Sequence, residues 1–150
     1  MKTCTKTYTV TFADIDQYYN VTINAVLCYF QDNIARYLAS GHIGPHDAVS
    51  RGMNWMINEF HAYMAGELPQ WSENVEVEVW IGELSGVRVY ADWKMRDVRG
   101  HEFARGGSTW LLVDTQTRKP VRCMDIEELV ALYDPADACR IISLWDDGEV

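Results

Sequence analysis

The chain of 150 residues lacks features that several large classes of protein need. No apolar run approaches the ~20 residues that span a membrane. No apolar segment follows Met1 to Lys6, so we expect no secretory signal and a cytoplasmic protein. Positive charge is scarce, with 13 Lys and Arg against 22 Asp and Glu. The resulting net charge of −9 disfavours nucleic acid as a partner, because neutralising phosphates needs a cationic surface.

Motifs for metal binding and for serine or cysteine hydrolysis are also missing. The four cysteines form no C-x-x-C pair, and their spacing fits no zinc pattern. His42 and His46 are four residues apart, but Gly41, Gly44 and Pro45 interrupt any helix that would align them. There is no G-x-S-x-G elbow and no P-loop. The sequence therefore predicts no metal, no cofactor and no serine or cysteine triad.

The composition indicates one globular domain. A chain that is 48% hydrophobic, with six Trp and eight Tyr, can build a substantial core, and this length suits one domain. Eight of the thirteen basic residues lie between Arg88 and Arg122. We interpret this basic segment either as a solvated outer face of a sheet or as a patch for a phosphate-bearing or acidic partner.

The stretch from Tyr8 to Gly41 predicts a short strand, a polar turn and one long helix. Tyr8, Val10 and Phe12 alternate with threonines, which places them on one face of a strand. The helix has one apolar stripe, formed by Ile23, Val26, Leu27, Phe30, Ile34, Tyr37 and Leu38. We expect it to run from about Thr22 to Ser40, with Asn20 or Thr22 as the N-cap and Gly41 as the C′ glycine.

The second half reads as strands separated by turns. Alternating or apolar runs predict strands over residues 53–64, 75–81, 87–96 and 103–114, and a short helix over residues 126–133. Residues 97–100 and 115–118 have the composition of hairpin turns. One long helix and about five strands joined by hairpins predict an α+β hotdog fold, in which an antiparallel five- or six-stranded sheet wraps around one long central helix.

An ordered series of short segments resembles the acyl-acyl-carrier-protein (acyl-ACP) thioesterase family. The series begins with the acid turn and the start of the helix and continues through a glycine-tryptophan strand. Its segments are Asp14-Ile15-Asp16, Asn20-Val21, Leu27 to Asp32, Gly52 to Ile57, Leu68 to Trp71, Val75 to Trp80, Arg96-Asp97 with Gly100, Ser108 to Trp110 and Asp114 to Arg122. The resemblance covers roughly residues 8 to 123.

The resemblance implies a domain organisation and an activity. Residues 1–150 would form a single hotdog thioesterase-like domain, similar to the N-terminal half of the tandem enzymes. Such a domain would hydrolyse acyl-ACP or acyl-CoA thioesters to a carboxylic acid and a thiol, without a cofactor, in fatty acid biosynthesis. The family's catalytic turn, D-x-N-x-H-V-N-N, begins at Asp16 when laid on this chain; Tyr18 then takes the Asn position and Asn20 the His position. Asp16 also matches the second aspartate of the D-x-D turn on which some single-domain thioesterases rely.

The chemistry of thioester hydrolysis directs attention to the same turn. It needs an activated nucleophile and stabilisation of a developing oxyanion. A helix N-terminus offers unpaired N–H groups and partial positive charge, and Asp16 lies just before it, as a nucleophile or general base. Asn20, Asn24 and the backbone amides of residues 21–23 are candidates to polarise the carbonyl. The alternative is that these residues serve only the turn and the helix cap.

Further candidates lie in the predicted strands. Glu59 is a second candidate acid: burial in an apolar strand would raise its pKa and suit it to proton transfer, unless it is exposed at a sheet edge. Trp55, Met56 and Phe60 form either an acyl-chain pocket or part of the core. With Arg88, which opens the basic segment, they are the candidate substrate-binding residues.

Two classes of function stay open at this point. The first is a thioesterase whose substrate partner is an acyl carrier protein or a coenzyme A thioester. The second is a non-catalytic hotdog module that binds an acyl chain or a partner subunit. Because a lone hotdog domain leaves a sheet edge uncovered, we predict a homodimer or a homotetramer, with no nucleic acid and no membrane as partner.

Overall fold

The computed structural model of the chain describes residues 2–136 and 138–141. The elements are β1 (Cys4–Thr9), α1 (Ile23–Ser40), α2 (Pro45–Ser50), β2 (Met53–Met64), β3 (Asn74–Ser85), β4 (Arg88–Arg96), β5 (Glu102–Asp114) and α3 (Glu127–Leu132). Two short 3-10 turns precede α1 and α3, at Phe12–Asp14 and Cys123–Asp125. None of the helices among these residues has both the length and the apolar character needed to cross a membrane.

The strands form one antiparallel sheet in the order β1-β3-β4-β5-β2. Helix α1 packs against its inner face, where alternate side chains of β3 and β4 are fully buried. These inner residues are Val75, Val77, Val79, Val89, Ala91, Trp93 and Met95. Their neighbours Glu76 and Glu78 lie on the outer face and pair with Arg96. The predicted hotdog architecture is confirmed, with five strands.

Helix α1 begins where the sequence predicts and ends with a different cap. Thr22 is the N-cap, because its Oγ1 accepts a hydrogen bond from the Ala25 amide at 3.1 Å. At the other end His42, not Gly41, has the left-handed backbone, with a φ of 64°. The prediction of a C′ glycine at position 41 is therefore wrong. Gly41 instead lacks a side chain because a Cβ there would lie 2.8 Å from the Leu132 side chain.

Two further features differ from the sequence-based expectations. Strand β1 ends at Thr9, so Phe12 belongs to a 3-10 turn and is 66% exposed rather than facing inward with Tyr8. A short helix, α2, follows Gly44, with Pro45 at its first position, where its missing N–H removes no hydrogen bond. The sequence pattern indicates Pro45 only as a residue that interrupts a helix, whereas the structure places it at the start of one.

The direction of the strands defines two ends of the sheet. Helix α1 starts beside the end of β1 and the beginning of β3, since Thr9 pairs with Asn74 and the Val21 amide donates to the Pro69 carbonyl at 2.9 Å. We call this the helix-start end. The opposite end carries the β3–β4 turn, the end of β5 and the beginning of β2, where Met53 pairs with Asp114.

Candidate active site at the start of the long helix

The segment between β1 and α1 forms a closed turn whose two sides are paired through the backbone. The Thr22 amide donates to the Asp14 carbonyl at 3.0 Å, and the Asp16 amide donates to the Asn20 carbonyl at 2.9 Å. A bridge between Ile15 and Val21 lies between these two pairs. We call residues 14–22 the acid turn; its backbone geometry fixes where its acids sit relative to the helix.

Asp16 lies at the tip of the acid turn and is exposed. Its Oδ1 accepts hydrogen bonds from the amides of Tyr18 at 2.8 Å and Asn20 at 3.1 Å. Its Oδ2 accepts none from the residues that the structure describes. One carboxylate oxygen therefore stabilises the turn, which is the structural role that the sequence left open, while the other stays available to a water molecule or a substrate.

The first backbone amides of α1 divide into used and unused donors. The amide of Val21 is bonded to the Pro69 carbonyl and that of Thr22 to the Asp14 carbonyl. The amides of Ile23 and Asn24 have no acceptor within the described part of the chain. These two N–H groups, at the positive end of an 18-residue helix, are the donors that an oxyanion would meet.

The two asparagines near the turn differ in what they offer. Asn20 pairs through its backbone with Gln70, and its Oδ1 accepts from Gln70 Nε2 at 3.2 Å, so its amide group is oriented by the loop after β2. Asn24 is exposed in the first turn of α1. Tyr18, at the position of the family's catalytic Asn, is 68% exposed, and its hydroxyl has no hydrogen-bond partner among the described residues.

Glu59 does not have the buried environment that the sequence offered as one alternative. It lies on β2, which is an edge strand, directly after a bulge between Ile57 and Glu59. Its side chain is 58% exposed and contacts His61 at 3.5 Å. The exposed-edge alternative is the one observed, because β2 has no neighbour on its outer side among the described residues.

Of the three candidate pocket residues, Trp55 lines a cavity of the described structure. The cavity is an apolar groove of about 270 Å³ between α1, α2, β2 and β5. Its lining is Gln31, Ile34, Ala35, Leu38, Pro45, Val49, Asn54, Trp55 and Trp110. The Trp55 indole is fixed by a 2.9 Å hydrogen bond to the Ile43 carbonyl.

The other substrate-binding candidates lie elsewhere. Met56 is 54% exposed on the strand face opposite Trp55. Phe60 is partly buried and packs against the core, stacked on Trp93 at 5.5 Å between ring centroids. Arg88 begins β4 at the end of the sheet opposite the acid turn. The structure therefore does not bring Arg88 together with Asp16 within one copy of the chain.

Asp14, the first acid of the turn, is partly buried and heavily bonded. Its Oδ2 accepts from the Thr11 amide at 3.0 Å, from Thr11 Oγ1 at 2.9 Å and from the Tyr29 hydroxyl at 2.7 Å. Burial alone would raise the pKa of Asp14, but these hydrogen bonds outweigh it and lower the pKa. Burial and Asp14 together raise the pKa of Tyr29. No sequence pattern indicates this contact, because the partners are fifteen positions apart on different elements.

No metal site accompanies these residues. Within residues 2–136 and 138–141, no group of three or more His, Cys, Asp or Glu side chains is arranged to hold an ion.

A five-stranded antiparallel sheet wrapped around one helix, with an acid turn at the helix start, places the chain in the hotdog class. More narrowly, the chain belongs to the acyl-ACP thioesterase family, because the model of the acyl-ACP thioesterase N-terminal domain matches residues 1–133.

The chain is also similar to individual proteins, and the solved structures among them share its fold. A chloroplastic palmitoyl-acyl carrier protein thioesterase of Arabidopsis thaliana is 21% identical over 107 residues, which is 67% of this chain and 26% of that protein. The 12:0-ACP thioesterase of Umbellularia californica superposes with a TM-score of 0.73 at 23% identity, over 89% of this chain and 50% of that one. The DHNA-CoA thioesterase of Staphylococcus aureus superposes with a TM-score of 0.78 at 15% identity, over 100% of this chain and 97% of that one. The match thus spans between about a quarter and a half of these two acyl-ACP thioesterases.

Proposed function

We propose that the chain hydrolyses acyl thioesters of an acyl carrier protein or coenzyme A to a free carboxylic acid and a thiol. One observation carries the proposal: Asp16 keeps an unbonded carboxylate oxygen in a turn that leads directly to the two unused amides of Ile23 and Asn24. An acid or base and an oxyanion site are the two elements that thioester hydrolysis needs. Family membership supports the choice of thioester as the substrate class.

The proposed chemistry assigns each group a step. The thioester carbonyl oxygen binds at the amides of Ile23 and Asn24, where the helix dipole stabilises the negative charge that develops. Asp16 takes a proton from water, whose hydroxide adds to the carbonyl carbon; the tetrahedral intermediate then collapses, breaking the C–S bond, and the thiolate leaves and takes up that proton. In the second version of the step, an Asp16 carboxylate oxygen attacks the carbonyl carbon, the C–S bond breaks and the thiolate leaves. Water then hydrolyses the resulting anhydride to the carboxylic acid and the Asp16 carboxylate, and the thiolate takes up the remaining proton of that water.

The apolar groove is proposed to hold the acyl chain. It runs beside α1 from Gln31 to Leu38 and is floored by Trp55 and Trp110. At 1.5 Å per residue, Ile34 lies about 16 Å along the helix from Ile23. That separation suits a ligand whose polar head is at the helix start and whose apolar tail lies further along.

We further propose that two copies pair along β2. This strand is an edge of the sheet and exposes Met56 and Ile57, which is unusual for an edge that faces only water. Asn54 and Trp55 of the same strand line the groove, so a second copy paired along β2 would lie beside it. A homodimer, or a homotetramer built from it, is the assembly that this surface supports.

The alternative function is a non-catalytic module that binds an acyl chain. Asp16 Oδ1 accepts hydrogen bonds from the backbone amides of both Tyr18 and Asn20, and this structural role alone is enough to explain an aspartate here. That observation favours the binding module. Under this alternative the groove keeps its ligand and the turn has no chemical role.

One experiment separates the two functions. The purified chain is incubated with acyl-CoA and acyl-ACP thioesters of increasing chain length, and release of the free thiol is followed. We expect turnover above the buffer rate for part of the series. Binding of acyl chains without any thiol release would contradict the hydrolase and support the module.

A further inference from the structure

Asp14 connects three parts of the molecule around the acid turn. Its Oδ2 accepts hydrogen bonds from the amide and hydroxyl of Thr11, which follows β1, and from the hydroxyl of Tyr29, which lies in the second turn of α1. Its carbonyl receives the amide of Thr22, the N-cap of α1. A single residue thus ties the near side of the turn to the strand before it, to the helix start and to the helix body.

The far side of the acid turn has additional anchors in the loop after β2. The Val21 amide donates to the Pro69 carbonyl at 2.9 Å, and the Trp71 amide donates to the Tyr19 carbonyl at 3.2 Å. These bonds are between backbones and do not reach residues 14–16. On the side that carries Asp16, the hydrogen bonds from side chains to Asp14 come from Thr11 and Tyr29 alone among the described residues.

The Tyr29 ring is itself fixed in place. It is 7% exposed and stacks on Tyr8, with ring centroids 5.3 Å apart and an interplanar angle of 22°. Tyr8 in turn donates to Asp32 on the next turn of the helix, which also pairs with Arg36. A hydroxyl on a ring held this firmly sets the position of its acceptor and does not follow it.

We propose that Tyr29 is a positioning residue for the reaction, whose hydroxyl, through Asp14, holds the acid turn so that Asp16 stays aligned with the amides of Ile23 and Asn24. The inference rests on the proposed function and adds to it a residue that touches no substrate. Its physical basis is that misplacing a catalytic group by about 1 Å can cost up to a hundredfold in rate. The Tyr29 bond restrains a displacement of that size.

The test compares Tyr29→Phe with Tyr37→Phe. Both substitutions remove one hydroxyl from a buried tyrosine of α1 and keep the ring. The Tyr37 hydroxyl contacts the carbonyls of Lys2 and Leu132 near the other end of the helix. Steady-state kcat and KM are measured for each variant, and hydrogen exchange is measured at the amides of Tyr18 and Asn20, which donate to Asp16.

We expect Tyr29→Phe to lower kcat about tenfold with KM within about twofold, because the groove is untouched. Exchange at the amides of Tyr18 and Asn20 should become faster in this variant only. Tyr37→Phe should leave kcat and this exchange as in the native chain, even if it lowers the melting temperature as much as Tyr29→Phe does.

The outcomes separate this inference from the proposed function. If Asp16→Asn stops hydrolysis while Tyr29→Phe and Tyr37→Phe have equal kcat values, the positioning role is overturned and the hydrolase stands. If the native chain hydrolyses no thioester, the proposed function falls and with it the role of Tyr29 in positioning Asp16 for the reaction. The exchange data then decide the remaining structural claim, which unchanged exchange in Tyr29→Phe would refute.

Discussion

Arg140 covers Asp92, a carboxylate on β4 that is buried on the outer face of the sheet. The Arg140 Nε lies 3.8 Å from Asp92 Oδ2, and the Asp92 side chain is 1% exposed. Residues 138–141, which we call the strap, complete the cover: the Ile141 amide donates to Asp92 at 3.2 Å, and the Cys139 carbonyl accepts from the Trp80 indole at 2.9 Å. Arg140 also donates to Glu83 and stacks over the Tyr90 ring at 3.8 Å.

Asp92 should make stability depend on pH near neutrality. Burial raises its pKa to about 7, against the opposing effects of Arg140 and the Ile141 amide, and Glu83 adds to the rise. The folded chain therefore keeps this proton between about pH 4 and 7 while the unfolded chain has lost it. This group's stabilisation is fully present below pH 4 and is lost as pH rises to 7, by at most about 1.4 kcal/mol per pH unit. In urea unfolding between pH 4 and 7, the free energy of unfolding of Asp92→Asn should change less with pH than that of the native chain.

The strap should contribute to stability through Arg140. Arg140→Met removes the positive charge beside a buried carboxylate, and we expect a loss of about 1–3 kcal/mol at pH 8, where Asp92 is ionised. Arg36→Met is the matched control, because Arg36 pairs with Asp32 on an exposed helix surface. It should leave the free energy of unfolding nearly unchanged, because solvent screens this exposed pair. Equal losses for the two variants in urea unfolding would show that the strap does not protect Asp92.

The two candidate acids should separate cleanly in activity. Asp16→Asn should lower kcat by about a hundredfold or more, on the order of 3 kcal/mol, with little change in stability, since the side chain is exposed. Glu59→Gln should leave kcat within about twofold, because Glu59 is exposed and its carboxylate contacts His61 at the edge of the sheet. Thiol release by both variants provides the comparison. Loss of turnover in Glu59→Gln alone would reverse the assignment.

Filling the apolar groove should change the preference for acyl chain length. Ala35 lines the groove, so Ala35→Phe should reduce kcat/KM for long acyl chains by about tenfold or more and affect short chains less. Val98→Phe is the control, since Val98 is exposed on the turn after β4 and lines no part of the groove. Thiol release is measured separately with each acyl-CoA of the series, and the values of kcat/KM for long and short chains are compared. An equal loss for all chain lengths would place the acyl chain elsewhere.

The edge of β2 should determine the oligomeric state. Met56→Asp places a charge on the exposed part of this strand and should disfavour pairing of two copies. Light scattering at micromolar concentration should report a dimer for the native chain and a monomer for the variant. Tyr63→Asp, further along the same strand, tests whether pairing extends past the bulge at Ile57 to Glu59. A native monomer would refute the proposed assembly.

The fold follows from local patterns in this sequence. The apolar stripe of α1 and the alternation in β3 and β4 each encode a buried face with the period of their element, so the helix and the sheet are predictable. Thr22 as N-cap follows from the same local rules. The prediction of a C′ glycine at Gly41 is wrong because this position lacks a side chain for another reason. A Cβ there would clash with Leu132, which is more than ninety positions away in the sequence.

The candidate site is less predictable because its parts meet through tertiary contacts. Asp16 was identifiable, as an acid just before a helix. The unused amides of Ile23 and Asn24 are defined only once Pro69 and Asp14 have taken the amides of Val21 and Thr22. Exposure of Glu59 depends on β2 being an edge, which strand order decides and local alternation does not.

The strap shows that the folded domain extends beyond the segment that matches the family. The family match ends at residue 133, yet the residues that shield Trp80 and Asp92 come after it. A Cβ at Gly82 would lie 2.9 Å from the Cys139 carbonyl, so the sheet itself is shaped to receive this segment. An expression fragment designed to stop at the family boundary would therefore expose an aspartate and a tryptophan that the longer chain keeps dry, and its instability would be an artefact of where it was cut.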